Sequence, residues 1–344
     1  MRSQTLNRLA ITMLFILWLG LPPEQIQALA ESSPEAFYRG KTISWVVASE
    51  PGSGTDLVVR TITPFLAKEL GVRVKIENMK TDEGINYVYR QGSKDGLTWG
   101  VKSSDAIVGN DILKSPGVLY ETEKFNYVAD VYPCKKIFEV SPKLPYRSLE
   151  ALRKAKGLKG GGTSAKGSLV MNASIISEIL GLDAKIITGF QGRKGLVMAL
   201  ARNEVDFMVT NDDMAARDEQ DGWVVNLFAV GSKRSEVVPN IPSLSEVGVK
   251  VPKELEAVYR FSLAGGMAVV LPPGVPPEKV EYLRKVFQSL NSNKEMQKAL
   301  EKVAGAWRSF VSGRELQEEL TMIKRDTETA AKLEAIFKKF SNLR

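Results

Sequence analysis

The run ISWVVASEPGSGTDLVVRTITPFLAKEL, residues 43–70, reads as a buried strand, a tight turn and an amphipathic helix in immediate succession. Ile43 to Ala48 is a short, β-branched apolar run, and Pro51, Gly52, Ser53 and Gly54 are turn residues. From Thr55 onward Val58, Ile62, Phe65, Leu66 and Leu70 recur at helical spacing, with Pro64 predicting a kink or an early break. Glycines let the backbone turn sharply, and the first helical turn presents unpaired N–H groups at the positive end of the macrodipole, so an anion suits this place. The same pattern also reads as an ordinary strand-to-helix turn that Thr55 or Asp56 caps.

The unit repeats along the chain. Strands are predicted at Val72–Glu77, Leu97–Val101, Tyr127–Tyr132, Ala184–Thr188, Glu204–Thr210 and Val224–Val230, and helices at Ser148–Lys156, Ser168–Leu180 and Leu196–Arg202. Two long C-terminal helical stretches start at Pro277, with an interruption at Asn291–Asn293, and at Arg314; Ser292-x-x-Glu295 and Ser312-x-x-Glu315 have the form of capping boxes. Such alternation predicts an α/β protein with mostly parallel sheets flanked by helices.

Arg2 and Arg8, the apolar run Leu9–Leu21 and Ala28-Leu29-Ala30 read as a cleavable export signal over residues 1–30, since 13 apolar residues are short of the roughly 20 that span a bilayer. Its removal from the 344-residue chain leaves 314 residues, beyond the size at which one core stops growing, so two lobes are expected. The expected mature net charge of +6 is modest and spread over helix faces, which does not make a nucleic-acid surface. Cys134 is the only cysteine, so no internal disulfide forms. Histidine is absent, which removes Ser-His and Cys-His nucleophiles, HExxH zinc sites and any imidazole base. The chain is therefore expected not to be an enzyme and to need neither metal nor cofactor.

KGGGTSAKGS, residues 159–168, repeats the turn design, with Thr163, Ser164 and Ser168 as hydroxyl donors beside Gly167. Ser168 stands where a P-loop needs lysine, Leu57 stands where GxGxxG needs its last glycine, and no GxSxG elbow surrounds Ser53 or Ser164. Asp105, Asp206, Asp212 and Asp213 lack the spacing of a metal set and are expected in solvated or capping roles. Phe190, ahead of Gln191-Gly192-Arg193-Lys194, is placed to reach a cleft.

Several segments resemble the substrate-binding receptors of tripartite tricarboxylate transporters, the Bug-type receptors, over nearly the whole predicted mature chain. PGSGTDLVVR at 51–60 is similar to that family's first-loop motif, Lys94-Asp95-Gly96-Leu97-Thr98 to its strand entry, and Gly192 with Glu204 to Met208 and Asn211 to its second-lobe pattern. Ala229-Val230 through Ser235, then Pro239 to Gly248, is similar to its return crossing, expected near Ala229–Ser232, and the segment after it. Ser53 replaces the family's middle glycine, Ala48-Ser49-Glu50 a proline-aromatic-proline run, Met171 or a neighbour its histidine, and Arg193-Lys194 a small Gly-rich turn.

The resemblance implies a type II periplasmic-binding-protein-like fold with two crossing strands. It assigns residues 31–133 plus 232–344 to one lobe and 134–231 to the other. It further implies an exported, monomeric, extracytoplasmic receptor that captures a small carboxylate and delivers it to membrane permease subunits. Expected at the ligand are Ser49, Gly52, Ser53, Gly54, Thr55, Asp56, Ser103, Thr163, Ser164, Gly167, Ser168, Phe190 and Asn211. A rival expectation, drawn from Ser53, Glu50 and the missing histidine, is a receptor-like sensor or scaffold that has lost ligand capture.

Overall fold

A computed structural model describes residues 33–163, 167–263 and 265–341; the predicted export signal and Ser164 lie outside them. The chain runs through helix α1 (Pro34–Tyr38), strand β1 (Thr42–Val47), α2 (Gly54–Leu70), β2 (Arg73–Asn78), α3 (Thr81–Gln91), β3 (Thr98–Ser103), α4 (Ser104–Ile112) and β4 (Asn126–Asp130). It continues as β5 (Lys136–Val140), α5 (Leu149–Lys154), β6 (Leu158–Gly161), α6 (Ser168–Leu180), β7 (Ala184–Ile187), α7 (Gly192–Arg202), β8 (Phe207–Asn211), α8 (Asp212–Gln220) and β9 (Val225–Val230). Then follow α9 (Glu256–Leu263), β10 (Met267–Leu271), α10 (Pro277–Leu290), α11 (Lys294–Ala304), β11 (Val311–Ser312), α12 (Gly313–Arg325) and α13 (Thr327–Phe340).

These strands make two mixed sheets, ordered β11-β4-β10-β3-β1-β2 and β7-β6-β8-β5-β9, each flanked by helices. Helices α2, α4, α6, α7 and α8 all start at the C-terminal ends of strands, so their first turns gather on the edge where open α/β sheets bind ligands. That geometry also explains one reversed strand in each sheet, β11 at the edge of the first sheet being a second one. β5 and β10 are antiparallel to both their neighbours, and each is the first strand the chain forms after leaving the other sheet. A chain that crosses from the C-terminal edge of one sheet enters the second by its C-terminal edge, and must run against the strands beside it.

In the first sheet the core is aromatic: Trp45 and Trp99 meet edge-on with ring centroids 5.4 Å apart, and Phe287 of α10 lies 5.7 Å from Trp99. Helix α2 buries Val58, Val59, Ile62, Leu66 and Leu70 there, starts at an N-cap Ser53 and ends at a left-handed Gly71. The expected break at Pro64 does not occur. Pro64 is exposed, so the Arg60 carbonyl that loses its N–H partner faces water.

The expected return at Ala229–Ser232 is not where the chain passes back. Ala229 bridges Ser243, Leu244 N–H donates to the Ala229 carbonyl, and α9 packs on α6, so residues 232–263 run along the second sheet. The passage is made at Gly265–Gly266, directly against the first crossing. A Cβ on Gly265 would overlap the Lys136 side chain, and one on Gly266 the Asp130 carboxylate. Asp130 Oδ1 accepts from Tyr132 N–H at 2.9 Å and Met267 N–H at 2.8 Å, tying the two crossings together. At the C-terminus one predicted helix is two: Asp326 caps α13, which turns back onto α6 while α12 stays on β4. Among the described residues no helix is long and apolar enough to cross a membrane.

Candidate ligand-binding site

The turn between β1 and α2 is held from within. Asp56, buried, accepts Gly52 N–H at 2.8 Å, Arg60 Nε at 2.9 Å and Asn78 Nδ2 at 2.9 Å. Burial opposes its ionisation, but Arg60, Gly52 and Asn78 outweigh that and hold its carboxyl below the usual range. Asp56 is thus the brace of the loop. Ser53 Oγ caps Asp56 N–H at 3.3 Å and lies 2.7 Å from Ser49 Oγ, so neither hydroxyl takes up the first-turn amides of Gly54 and Thr55.

The second Gly-rich segment is a strand in its first half. A Cβ on Gly160 would overlap Ile186 and Phe207, one on Gly161 Leu196 and Val205, and one on Gly162 Val170. These glycines admit neighbouring side chains into the sheet, and do not form a ligand loop. Among the described residues of this segment Thr163, Gly167 and Ser168 follow the strand, each half-buried, and Gly167 is the N-cap position of α6. Phe190 packs against the cluster around Leu196 and Val197, together with Leu169.

The two sheets meet in a seam. Ser103 Oγ at the end of β3 is 3.2 Å from Ser168 Oγ at the start of α6, and a Cβ on Gly54 would lie 3.1 Å from Met214 Cε on α8. Between them Asp105, from α4, is completely buried. Its Oδ1 accepts Ser168 Oγ at 2.7 Å and Ala106 N–H at 2.8 Å; its Oδ2 accepts Asn172 Nδ2 at 3.0 Å and faces Lys136 Nζ at 3.6 Å. Lys136, also buried, donates to Asn211 Oδ1 at 2.8 Å. Burial works against both charges. For Asp105 the Lys136 ammonium and the three hydrogen bonds prevail and keep its carboxyl below the usual range. For Lys136, Cys134, Asp105 and Asp212 together raise the ammonium above its ordinary value.

Ser103, Ser168 and Asn211 are therefore brought together around one buried ion pair, and Gly54 adjoins the same seam through Met214. Asp105 is not the solvated or capping aspartate expected from spacing, and Lys136 and Asn172 were not among the expected site residues. Lys135-Lys136 directly ahead of the apolar IFEV run is the one local signal that points to Lys136. The other aspartates are internal braces. Asp206 accepts Lys159 N–H at 2.7 Å, Asp212 accepts Ser235 Oγ at 2.6 Å and pairs with Arg308, and Asp213 lies 3.6 Å from Arg217. Asp212 and Asp213 open α8, where carboxylates suit a first helical turn.

Comparison with known proteins follows the same lines. The chain is 24% identical over 263 residues to protein BugT of Bordetella pertussis, covering 74% of this chain and 78% of that one. MatC from Rhodopseudomonas palustris, solved with bound malate, superposes with a TM-score of 0.65 at 21% identity, covering 86% of this chain and 99% of MatC. A second R. palustris protein, solved with adipate, gives 0.69 at 18% identity over 86% of this chain and 97% of its own. The fold of these proteins is the fold of this chain. The family model of the tripartite tricarboxylate transporter family receptor matches residues 58–328, and the chain belongs to that family.

Proposed function

We propose that this chain is an extracytoplasmic receptor that captures a small carboxylate in the seam between two lobes, presents it to membrane permease subunits, and does no chemistry on it. One lobe is built on the first sheet and the other on the second, with residues 134–263 in the second lobe. The observation that carries the reading is the convergence of helix first turns from both sheets on one seam, where Ser103 and Ser168 lie 3.2 Å apart. First-turn amides and the macrodipole favour an anion there. Malate in MatC and adipate in the second R. palustris protein support a carboxylate as that anion. Export by a cleaved leader and a monomeric state belong to the same proposal.

A ligand gripped by both lobes stabilises the closed arrangement by its differential affinity for it. Thermal unfolding of the mature protein with mono-, di- and tricarboxylates tests the reading. A ligand at about 100 times its Kd stabilises the native state by about 2.7 kcal/mol. Failure of every carboxylate to raise the melting temperature at millimolar concentration would overturn ligand capture and favour a sensor or scaffold.

A further inference from the structure

We infer that Asp105 is a built-in carboxylate that takes the second anion position of the seam and restricts the receptor to ligands carrying a single carboxylate. The inference rests on the carboxylate-capture reading above. An ionised carboxylate has about four acceptor sites, and Asp105 fills its own with Ser168, Ala106, Asn172 and the Lys136 ammonium. Three of those partners belong to the second sheet, while Asp105 stands on α4 of the first. Bringing the sheets together therefore delivers a carboxylate of the chain itself to the start of α6, where helix N-terminus, hydroxyl and ammonium would otherwise meet an anion from the ligand.

The Ser168, Asn172 and Lys136 donors beside Asp105 are taken. Asn172 Oδ1 and Ser104 Oγ are both buried and make no hydrogen bond among the described residues. An amide oxygen only accepts. A second ligand carboxylate arriving here would find the Ser168, Asn172 and Lys136 donors engaged, with the Ser104 hydroxyl as the unpartnered side-chain donor, and would face the Asp105 charge in a low-dielectric seam, where like charges repel strongly. A hydroxyl or an apolar end meets neither obstacle. On the first sheet the Gly54 and Thr55 amides stay open to one carboxylate. The ligand class that follows is a monocarboxylate whose far end is neutral or donates a hydrogen bond.

The test is calorimetry on the mature wild-type protein with matched pairs in which one terminal carboxylate is replaced by methyl: butyrate against succinate, hexanoate against adipate, and a hydroxybutyrate against malate. The monocarboxylate of the pair that binds should be tighter by at least about tenfold. In Asp105→Asn, checked for native circular dichroism, that ratio should fall by at least about tenfold; a general preference for apolar ligands would leave it unmoved. A dicarboxylate that binds wild type as tightly as its monocarboxylate partner overturns the inference and leaves carboxylate capture standing. An unchanged ratio in folded Asp105→Asn overturns it in the same way. If that variant does not fold, the wild-type pairs decide alone. Binding by no member of any pair overturns both readings.

Discussion

Replacing Lys136 with methionine keeps most of the apolar stem of the side chain but removes the ammonium that faces Asp105 Oδ2 at 3.6 Å and donates to Asn211 at 2.8 Å. At that separation and an effective dielectric constant of about 20 the pair attracts by about 5 kcal/mol. Stripping one partner from a buried pair costs about 3–5 kcal/mol, because the other charge stays in place uncompensated. Asp105 keeps Ser168, Ala106 and Asn172 as donors, so the lower end, about 3 kcal/mol, is expected. The sign of the pH dependence changes as well. In wild type the Asp105 carboxyl lies below its usual range, so its contribution is present above the unfolded pKa and is lost only as the pH falls through the lowered folded value. Burial is the largest influence on this group, and once the Lys136 ammonium that opposes it is gone the carboxyl is expected to move up. Protonation in mild acid then removes the unpaired charge. Urea unfolding of Lys136→Met should show a deficit of about 3 kcal/mol near pH 8 that shrinks toward pH 5, and Lys136→Met/Asp105→Asn should recover most of it. A deficit below about 1 kcal/mol, or one that does not change with pH, would refute the ion pair as the centre of the seam.

Asp130→Asn keeps an acceptor for Tyr132 and Met267 but removes a carboxyl that burial pushes up to about 6. Because the unfolded chain ionises first, wild type loses stability as the pH rises from about 4 to 6, and the variant should gain on it by on the order of 3 kcal/mol across that window; parallel pH curves would contradict this. Gly54→Val forces a side chain against Met214, so it should weaken the binding of an identified carboxylate more than it weakens folding, and Met214→Ala should restore affinity. Unchanged affinity in Gly54→Val would remove this turn from the seam's function. Cys134 is buried at the first crossing, its Sγ 3.2 Å from the Gly265 carbonyl, and burial pushes its thiol up to about 12. Labelling by a disulfide reagent near pH 8 should be at least about a hundredfold slower in the native protein than in urea; equal rates would show the crossing to be open.

Where local chemistry decides, the sequence is legible. Ser148 and Ser312 cap the helices expected of them, and Gly71 ends α2 in the left-handed conformation. At the third cap a neighbour prevails: Asn293 accepts Met296 N–H and starts α11, in place of Ser292. Strand β5 escapes a sequence reading because Lys136 and Glu139 break its apolar run, yet all five of its residues are buried between sheet neighbours. Helix α4 escapes it for the reverse reason: residues 104–110 are buried all round, which leaves no polar face to set a helical period. Strand β6 is hidden by its glycines, whose missing side chains are filled by Ile186, Phe207, Leu196 and Val205 from elsewhere in the chain.

By itself the sequence determined the alternation of strands and helices, the turn at 51–54 and, through the absence of histidine, the exclusion of imidazole chemistry. Those properties depend on residues a few positions apart or on composition alone. Tertiary structure decided what the turns face. Asp105 meets Ser168 and Asn172 across 63 and 67 positions, and Lys136 meets Asn211 across 75. A carboxylate on a buried helix carries no local mark of its partner; the crossing at 131–135 and the return at Gly265–Gly266 lay one sheet's strand ends against the other's, and that closure turns an aspartate of ordinary spacing into the anion at the centre of the seam.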